Sequence, residues 1–237
     1  MIYAMIDGQK RQPSKKGENT VCPGCGGTLR AVLPQFNVAH WRHEKGDCDS
    51  WSETEGPWHL GWKALFHPEF CEVFLRDQTS QEIHRADVLC PGPDGKGVVL
   101  ELQHSSISEE EREARETFYK LEHRMFWLLN MDNTSSLSFN FGISIDFNDA
   151  KSVMLHDRKF YPMTWMGRGR ILDKWKRSTA HVFLNHRRFV YYLATNASCR
   201  TLVASQGKHE FALAKLTIRQ FLIAVAGDDM GALRPRA

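Results

Sequence analysis

Hydrophobic and polar positions change period several times along this chain of 237 residues, and each change marks an element. Residues 1–10 read as a short strand turning at Asp7-Gly8. Trp58, Trp62 and Leu65 recur at helical spacing and predict a helix over 53–67, ended by Pro68, with His59 and Lys63 at the edge of its buried stripe. Residues 71–75 and 82–90 alternate as strands do, 91–97 are dense in turn residues, and 98–103 form a third strand. Ser108 with Glu111 three residues on is a capping box that opens a helix to about 123. The apolar run 125–129 reads as a buried strand. The order expected is helix, three strands, helix, strand. Residues 136–237 look strand-rich, with hairpins around Asn185-His186 and Gln206-Gly207, and a last helix over 217–226 stopped by Gly227.

The alternation also fixes a register. With the turn between the second and third strands centred on Asp94, Asp87 faces Glu101. Ala86, Val88, Val98, Leu100 and Leu102 then point together into the core. A slip of one residue would bury the acids and expose the aliphatics, so this register is favoured. Opposed carboxylates repel unless a cation or proton separates them, and magnesium or manganese takes such oxygens readily. Gln103 shares the face of Glu101. The competing reading makes Asp87 and Glu101 the wet side of an ordinary hairpin. His59 and Lys63 converging on the same edge favour a site.

Residues 20–50 hold little that could form a core but many metal ligands. Cys22-Pro-Gly-Cys25 puts two thiolates on one tight turn, and His40-Trp-Arg-His43 and Cys48 follow. Zinc takes four ligands. The set favoured is Cys22, Cys25, His43 and Cys48, with His40 as the substitute, in a structural zinc site that staples a segment too small to fold alone. The divisions expected are 1–52, a hairpin and zinc module; 53–135, a mixed α/β core; and 136–237, a strand-rich basic region.

Charge refines this picture. The formal net charge is only +3, but 151–190 carries ten Lys/Arg against Asp157 and Asp173, interleaved with Phe160, Tyr161, Trp165, Trp175 and Phe189. Such a stretch suits a polyanion with faces to stack on, and makes Arg168, Arg170, Lys174, Lys176 and Arg177 candidate nucleic-acid contacts. A solvated basic face is the alternative. No stretch is long and apolar enough to span a membrane. The start Met-Ile-Tyr-Ala-Met-Ile-Asp-Gly lacks a charged segment followed by a long apolar run, so a cytoplasmic location is expected. Six cysteines outside a secreted context point to metal or free thiols. Cys71, Cys90 and Cys199 are singletons on apolar segments, and no phosphate-cradling glycine loop occurs, so thiol nucleophiles and ATP use are not indicated.

Read together, Cys22-Pro-Gly-Cys25, His40-Trp-Arg-His43, Cys48-Asp49, Trp58-His59-Leu-Gly-Trp62-Lys63, His84-Arg-Ala-Asp87-Val, Leu100-Glu101-Leu-Gln103-His104-Ser105, Arg115 with Phe118-Tyr119, and Trp127-Leu-Leu-Asn130 resemble the competence protein CoiA-like family. That family belongs to the PD-(D/E)xK nuclease superfamily, and the resemblance runs from Met1 to about Asn130. It implies an α/β fold of mixed α+β type: a restriction-endonuclease-like αβββαβ core, an N-terminal zinc ribbon or knuckle, and a strand-rich C-terminal extension. It further implies that Asp87 and Glu101 hold a catalytic Mg²⁺ or Mn²⁺, that Gln103 stands where most of the superfamily has lysine, and that His59 takes the site's helix position. Lys63 or Arg115 could supply the positive charge the glutamine lacks. The activity implied is metal-dependent hydrolysis of nucleic acid, DNA favoured, by a chain that could act as a homo-oligomer or within a larger complex. A degenerate core that binds without cutting, and a purely structural part of a DNA-processing or defence complex, are the competing readings.

Overall fold

A computed structural model describes residues 1–237 except 54, 93–94, 170, 228–230 and 235–237. The chain is mixed α/β and divides into two compact units, Met1–Cys90 with Gly231–Ala237, and Pro91–Met230.

The first unit begins with a hairpin of β1 (Ala4–Ile6) and β2 (Gln9–Arg11). Asp7 and Gly8 both take positive φ, 49° and 77°, the backbone that a two-residue turn needs to match the twist of its strands. Next come β3 (Asn19–Val21), β4 (Thr28–Val32) and β5 (His40–His43), a three-stranded antiparallel sheet. Its inner face buries Leu29 and Trp41 against Ala4 and Cys22, a small core over which Met1, Ile6, Ala31 and Phe74 close. The Trp41 indole donates to the Arg11 carbonyl at 3.1 Å, tying β5 to the hairpin.

Helix α1 (Pro57–Lys63) starts on a proline, whose missing N–H costs nothing there. It is shorter than the 53–67 expected, and its phase differs. Trp62 is buried as the pattern predicts, but Trp58 and Leu65 are only half-buried, and His59 and Lys63 are on the buried face. A 3₁₀ turn at Pro68–Phe70 leads into β6 (Cys71–Arg76), which pairs antiparallel with β7 (Ile83–Cys90). The last described residues return to this unit: Leu233 bridges to Phe66, and Arg234 donates to the Phe66 carbonyl and the Tyr3 hydroxyl.

The second unit is built on a large mixed sheet. Its elements are β8 (Val98–Gln103), α2 (Glu109–Lys120), β9 (Arg124–Asn130), α3 (Ser135–Ser144), β10 (Val153–Leu155), β11 (Arg158–Thr164), α4 (Ile171–Lys176), β12 (His181–His186), β13 (Phe189–Leu193), α5 (Arg200–Ala204), β14 (Glu210–Leu216) and α6 (Ile218–Ala226). The strands lie in the order β10-β11-β14-β13-β12-β9-β8. β8, β9 and β12 run parallel, and the remaining pairs are antiparallel. Helices α2, α3, α4 and α6 lie against this sheet. Every residue of β8 is buried, as expected for a parallel strand covered on both faces.

Ser108 caps α2 as read from the sequence, accepting from the Glu111 amide at 3.0 Å, but the Glu111 carboxylate turns to Arg115 and does not complete a box. Gly227 follows α6 as expected, and Thr217 with Gln220 forms a reciprocal capping box at the start of α6 that the sequence reading did not name. The β12–β13 hairpin turns at Arg187-Arg188, and Gln206-Gly207 is no hairpin: it joins α5 to β14, which pairs with β11 and β13. Helices α3, α4 and α5 are elements that the strand-rich reading of 136–237 did not contain. The turn centred on Asp94 lies outside the described residues.

A buried carboxylate holds the second unit's layers together. Glu116 on α2 accepts from Arg112 at 2.8 Å, the Trp127 indole at 3.2 Å, the Ser178 hydroxyl at 2.6 Å, and the Thr179 amide and hydroxyl at 2.9 Å each. Removing the acceptor of so many buried donors is expensive. Glu116→Ala should lower stability by about 3–5 kcal/mol, the range for breaking a buried ion pair. A fall in the urea midpoint, followed by tryptophan fluorescence, would measure it.

Candidate functional site

Four ligand atoms meet in the first unit, one each from Cys22, Cys25, His43 and Cys48, all within 4.8 Å of one another. Each has a local cause. Cys22 leaves β3 into a knuckle in which the Cys22 amide donates to the Gly27 carbonyl and the Gly26 amide to the Cys22 carbonyl. Gly26 takes φ 72°, where a side chain would be strained. A β-carbon on Gly24 would fall 2.4 Å from the Phe74 ring, so only glycine lets the knuckle settle on the strand beneath it. The Gly27 amide then donates to the Cys25 sulfur at 3.3 Å.

Strand parity decides between the two histidines. On β5, His43 shares the inward face with Trp41, opposite Leu29, whereas His40 shares the outward face with Arg42. His40 instead meets the Val38 carbonyl at 3.0 Å.

The distances suit a tetrahedral ion. The Cys22 and Cys48 sulfurs are 3.7 Å apart and the Cys25 sulfur is 3.6 Å from His43 Nε2. Zinc–sulfur bonds of about 2.3 Å at tetrahedral angles place two sulfurs roughly 3.8 Å apart. Burial and the neighbouring Cys22 push the Cys48 thiol well above its ordinary value. Burial lowers His43, which favours the neutral ring that a metal needs. The cluster could hold a metal such as zinc.

Asp49, directly after the last ligand, carries this module into the sheet. Its carboxylate meets His84 Nδ1 at 2.9 Å and accepts from the amides of Arg85 at 2.8 Å and Trp51 at 3.0 Å. His84 stacks on Trp51, with ring centroids 3.2 Å apart. The strand so fixed, β7, bears Asp87.

Around Asp87 the first unit buries a lysine among acids. The Lys63 ammonium lies 2.8 Å from Asp87, 2.8 Å from Glu55 and 3.6 Å from Glu72. Burial favours the neutral amine, but Asp87, Glu72 and Glu55 outweigh that and hold the group above its ordinary value. Burial works against the Glu72 charge as well, yet Lys63 holds this carboxyl well below the usual range. Glu72 also accepts from the Ile2 and Tyr3 amides at 2.7 Å. Burial, opposed by Lys63 and reinforced by Glu72 and Asp87, pushes Glu55 up to about 7. Sequence reasoning found Lys63, His59 and Asp87 but missed Glu55 and Glu72. Glu72 had a faint signal, as an acid at the start of an apolar strand; Glu55, in a polar stretch, had none.

Glu101 and Gln103 belong to the second unit, on β8. Both are buried, with 4% and 3% exposure, so neither is the wet side of a hairpin. The aliphatics expected in the core, Ala86 and Val88 on β7 and Val98, Leu100 and Leu102 on β8, are buried too. Arg115 on α2 lies 3.3 Å from Glu101 and 2.5 Å from Glu111. Burial opposes the Arg115 charge, and Glu101 and Glu111 together more than restore it. The Gln103 amide donates to the Ser105 carbonyl at 3.1 Å.

The basic stretch separates into different roles. Phe160, Tyr161, Trp165 and Trp175 are buried, so of its five aromatics only Phe189 is exposed enough to stack on a base. Lys176 is buried, 3.2 Å from Asp173 and donating to the carbonyls of Gly207 and Glu210. Lys174 donates to the Ile107 carbonyl, and Arg177 makes a two-pronged pair with Glu109 at 2.9 Å. Arg168 is exposed. Arg170 lies outside the described residues.

Compared with known proteins, the chain matches no family model, no curated protein and no solved structure. Among the described residues no helix is long and apolar enough to cross a membrane.

Two predictions follow from this geometry. Cys22→Ser and Cys25→Ser should each abolish stoichiometric zinc, and His40→Ala should leave it intact, as read by plasma emission after dialysis. The Glu55 carboxyl has a folded value above its ordinary 4.5. Its contribution to stability is therefore complete at acid pH and is lost as pH climbs from about 4.5 to about 7. In zinc-loaded protein without other divalent ions, the thermal midpoint should fall between pH 5 and pH 8 by more in the parent than in Glu55→Gln.

Proposed function

We propose that this chain is a nuclease dependent on Mg²⁺ or Mn²⁺, hydrolysing phosphodiester bonds with DNA as the favoured substrate, on a restriction-endonuclease-like core related to the CoiA-like family. The observation that carries the reading is the burial of Glu101 and Gln103 on β8 beside Arg115, where a merely structural strand would carry aliphatic side chains on both faces. Buried ionisable groups are costly, and they concentrate at functional sites. The chain order α1, β6, β7, β8, α2, β9 also supports the core, with β6 and β7 antiparallel and β8 and β9 parallel.

On this reading Asp87 and Glu101 hold the divalent ion, whose hard-cation preference their oxygens suit. When bound, the ion polarises the scissile phosphate and lowers the pKa of an attacking water. Lys63 lies 2.8 Å from Asp87 and Arg115 lies 3.3 Å from Glu101, so each acid has a cation beside it. Gln103 and His59 orient water or phosphate. The zinc module positions β7 through Asp49 and takes no part in bond breaking.

A second reading, a nucleic-acid-binding protein whose core no longer cuts, is favoured by Gln103. Its amide brings no charge and is tied to Ser105.

Incubation with single- and double-stranded DNA and RNA in Mg²⁺, Mn²⁺ or EDTA separates the two. The nuclease reading expects cleavage in Mg²⁺ or Mn²⁺, with Asp87→Ala and Glu101→Ala each slowing it by on the order of 10²–10³ or more, the scale for losing an electrostatic transition-state contact. Retained binding with no cleavage of any substrate in either metal would establish the second reading.

A further inference from the structure

We infer that the outer face of the three-stranded sheet in the metal module binds one single strand of nucleic acid, with Arg30 and Arg42 on its phosphates and Phe36 stacked on a base. The inference rests on the nuclease reading for the identity of the polyanion, and gives that polyanion a surface in the first unit.

The sheet has two faces of opposite character. Leu29, Ala31, Trp41 and His43 point inward to the small core and the metal cluster. Outward lie Arg30 and Arg42, directly opposed on β4 and β5, and after them the closing pair Val32 and His40. Like charges directly opposed across an antiparallel pair destabilise a sheet. Arg30 is relieved by an ion pair with Glu44, but among the described residues Arg42 pairs with no acid. Arg30, His40 and Arg42 contribute to an open cavity of about 640 Å³ that wraps the edge strand β5, since Met1, Trp41 and His43 line it as well. The second acid at that cavity, Asp47, lies 3.8 Å from both His43 and Arg85 and also faces the Met1 ammonium, so no acid there compensates the guanidinium of Arg42. An anion bridging the two arginines would convert a repulsion into two attractions.

The loop that joins β4 to β5, residues 33–39, supplies what a basic cavity alone lacks. Phe36 is 89% exposed, and Leu33 and Val38 beside it are also exposed. A bare phenyl ring in water gives up the transfer energy that burial would return. At the head of a hairpin it makes a stacking platform. The closing pair stands two residues from the arginine pair, roughly 7 Å along the strands. Phosphate contacts and a stacked base therefore fall within reach of neighbouring nucleotides of one strand. Stacking needs an open base face, which an unpaired strand offers and a duplex does not.

The test is fluorescence anisotropy of a fluorescein-labelled oligothymidylate of about 20 nucleotides with the full zinc-loaded chain, at low salt and without Mg²⁺ or Mn²⁺. Phe36→Ala should weaken binding about tenfold, within the range for one stacked base, and Phe36→Trp should restore it. Arg42→Ala should weaken binding and make the slope of log affinity against log salt shallower by about 0.7, the loss of one phosphate contact on a single strand. Both side chains are exposed, so zinc content and thermal midpoint should stay at parental values. Parental affinity in both alanine variants would overturn the inference, as would the absence of binding at low salt. Equal competition by polyglutamate, with no effect of Phe36→Ala, would make the face one for acidic protein instead. A chain that binds through Phe36 but never cuts loses the nuclease reading alone. One that cuts and binds regardless of Phe36 and Arg42 loses this inference alone.

Discussion

One ammonium, that of Lys63, holds the elements of the first unit to each other. From the last turn of α1 it reaches Glu55 ahead of the helix, Glu72 on β6 and Asp87 on β7. Glu72 passes the constraint on, because its carboxylate grips the amides of Ile2 and Tyr3 and so fixes the chain entering β1. Helix α1 has only seven residues, too few to persist in water by itself. Taking an ammonium out of water costs several kcal/mol, repaid only where partners are placed as closely as these. The arrangement is therefore all or nothing. Either helix, strands and hairpin come together around Lys63, or the charge stays in solvent and the helix is not formed.

The cluster of Cys22, Cys25, His43 and Cys48, which could hold a metal, would be a second staple. The inner core beneath the three-stranded sheet comprises Ala4, Cys22, Leu29 and Trp41, with four further side chains closing over it. So little apolar surface does not hold a segment of this length, and a metal closing Cys22, Cys25, His43 and Cys48 would contribute folding energy directly. Asp49 turns that local staple into a long-range one. It follows Cys48 in the chain and binds the backbone and side chain of β7. Two constraints thus converge on β7 from opposite ends: Asp49 at Arg85 and His84, and Lys63 at Asp87. An acid held from both sides is preorganised for whatever it binds.

Much of this was legible in the sequence, and the failures have physical causes. The metal ligands were readable because tight Cys-x-x-Cys spacing has few other uses, and His43 over His40 followed from parity with Trp41 once the strand was placed. Strands β6 to β9 were readable because alternation and unbroken aliphatic runs leave few alternatives. The phase of α1 was misjudged because lysine and histidine count as polar in any pattern, whereas Lys63 is buried by its ion pairs and not by hydrophobicity. Helix α3, Ser-Ser-Leu-Ser-Phe-Asn-Phe-Gly-Ile-Ser, has no apolar stripe and leaves Phe139 and Ile143 exposed, so its period is invisible. The basic stretch misled for a related reason. Aromatic residues between arginines read as a stacking surface, but Phe160 and Tyr161, on opposite faces of β11, are both buried, as are Trp165 just past that strand and Trp175 on α4. Glu55 and Glu72 are meaningful only through Lys63, a relation that no local window contains.

The glutamine at 103 is intelligible in the same terms. On the proposed reading, a lysine there would bring positive charge to the face of β8 that bears Glu101. That carboxylate already has Arg115 at 3.3 Å, and Arg115 is itself held by Glu111. Within the first unit Asp87 likewise has Lys63. Each candidate metal-binding acid thus comes with its own buried cation, and a further ammonium on β8 would repel Arg115 in a region of low dielectric, where such repulsion is strongest. An amide avoids that cost while keeping both a donor and an acceptor for orienting water. The positive charge that a lysine at 103 would contribute has in effect been moved to helices: to α1 as Lys63 and to α2 as Arg115.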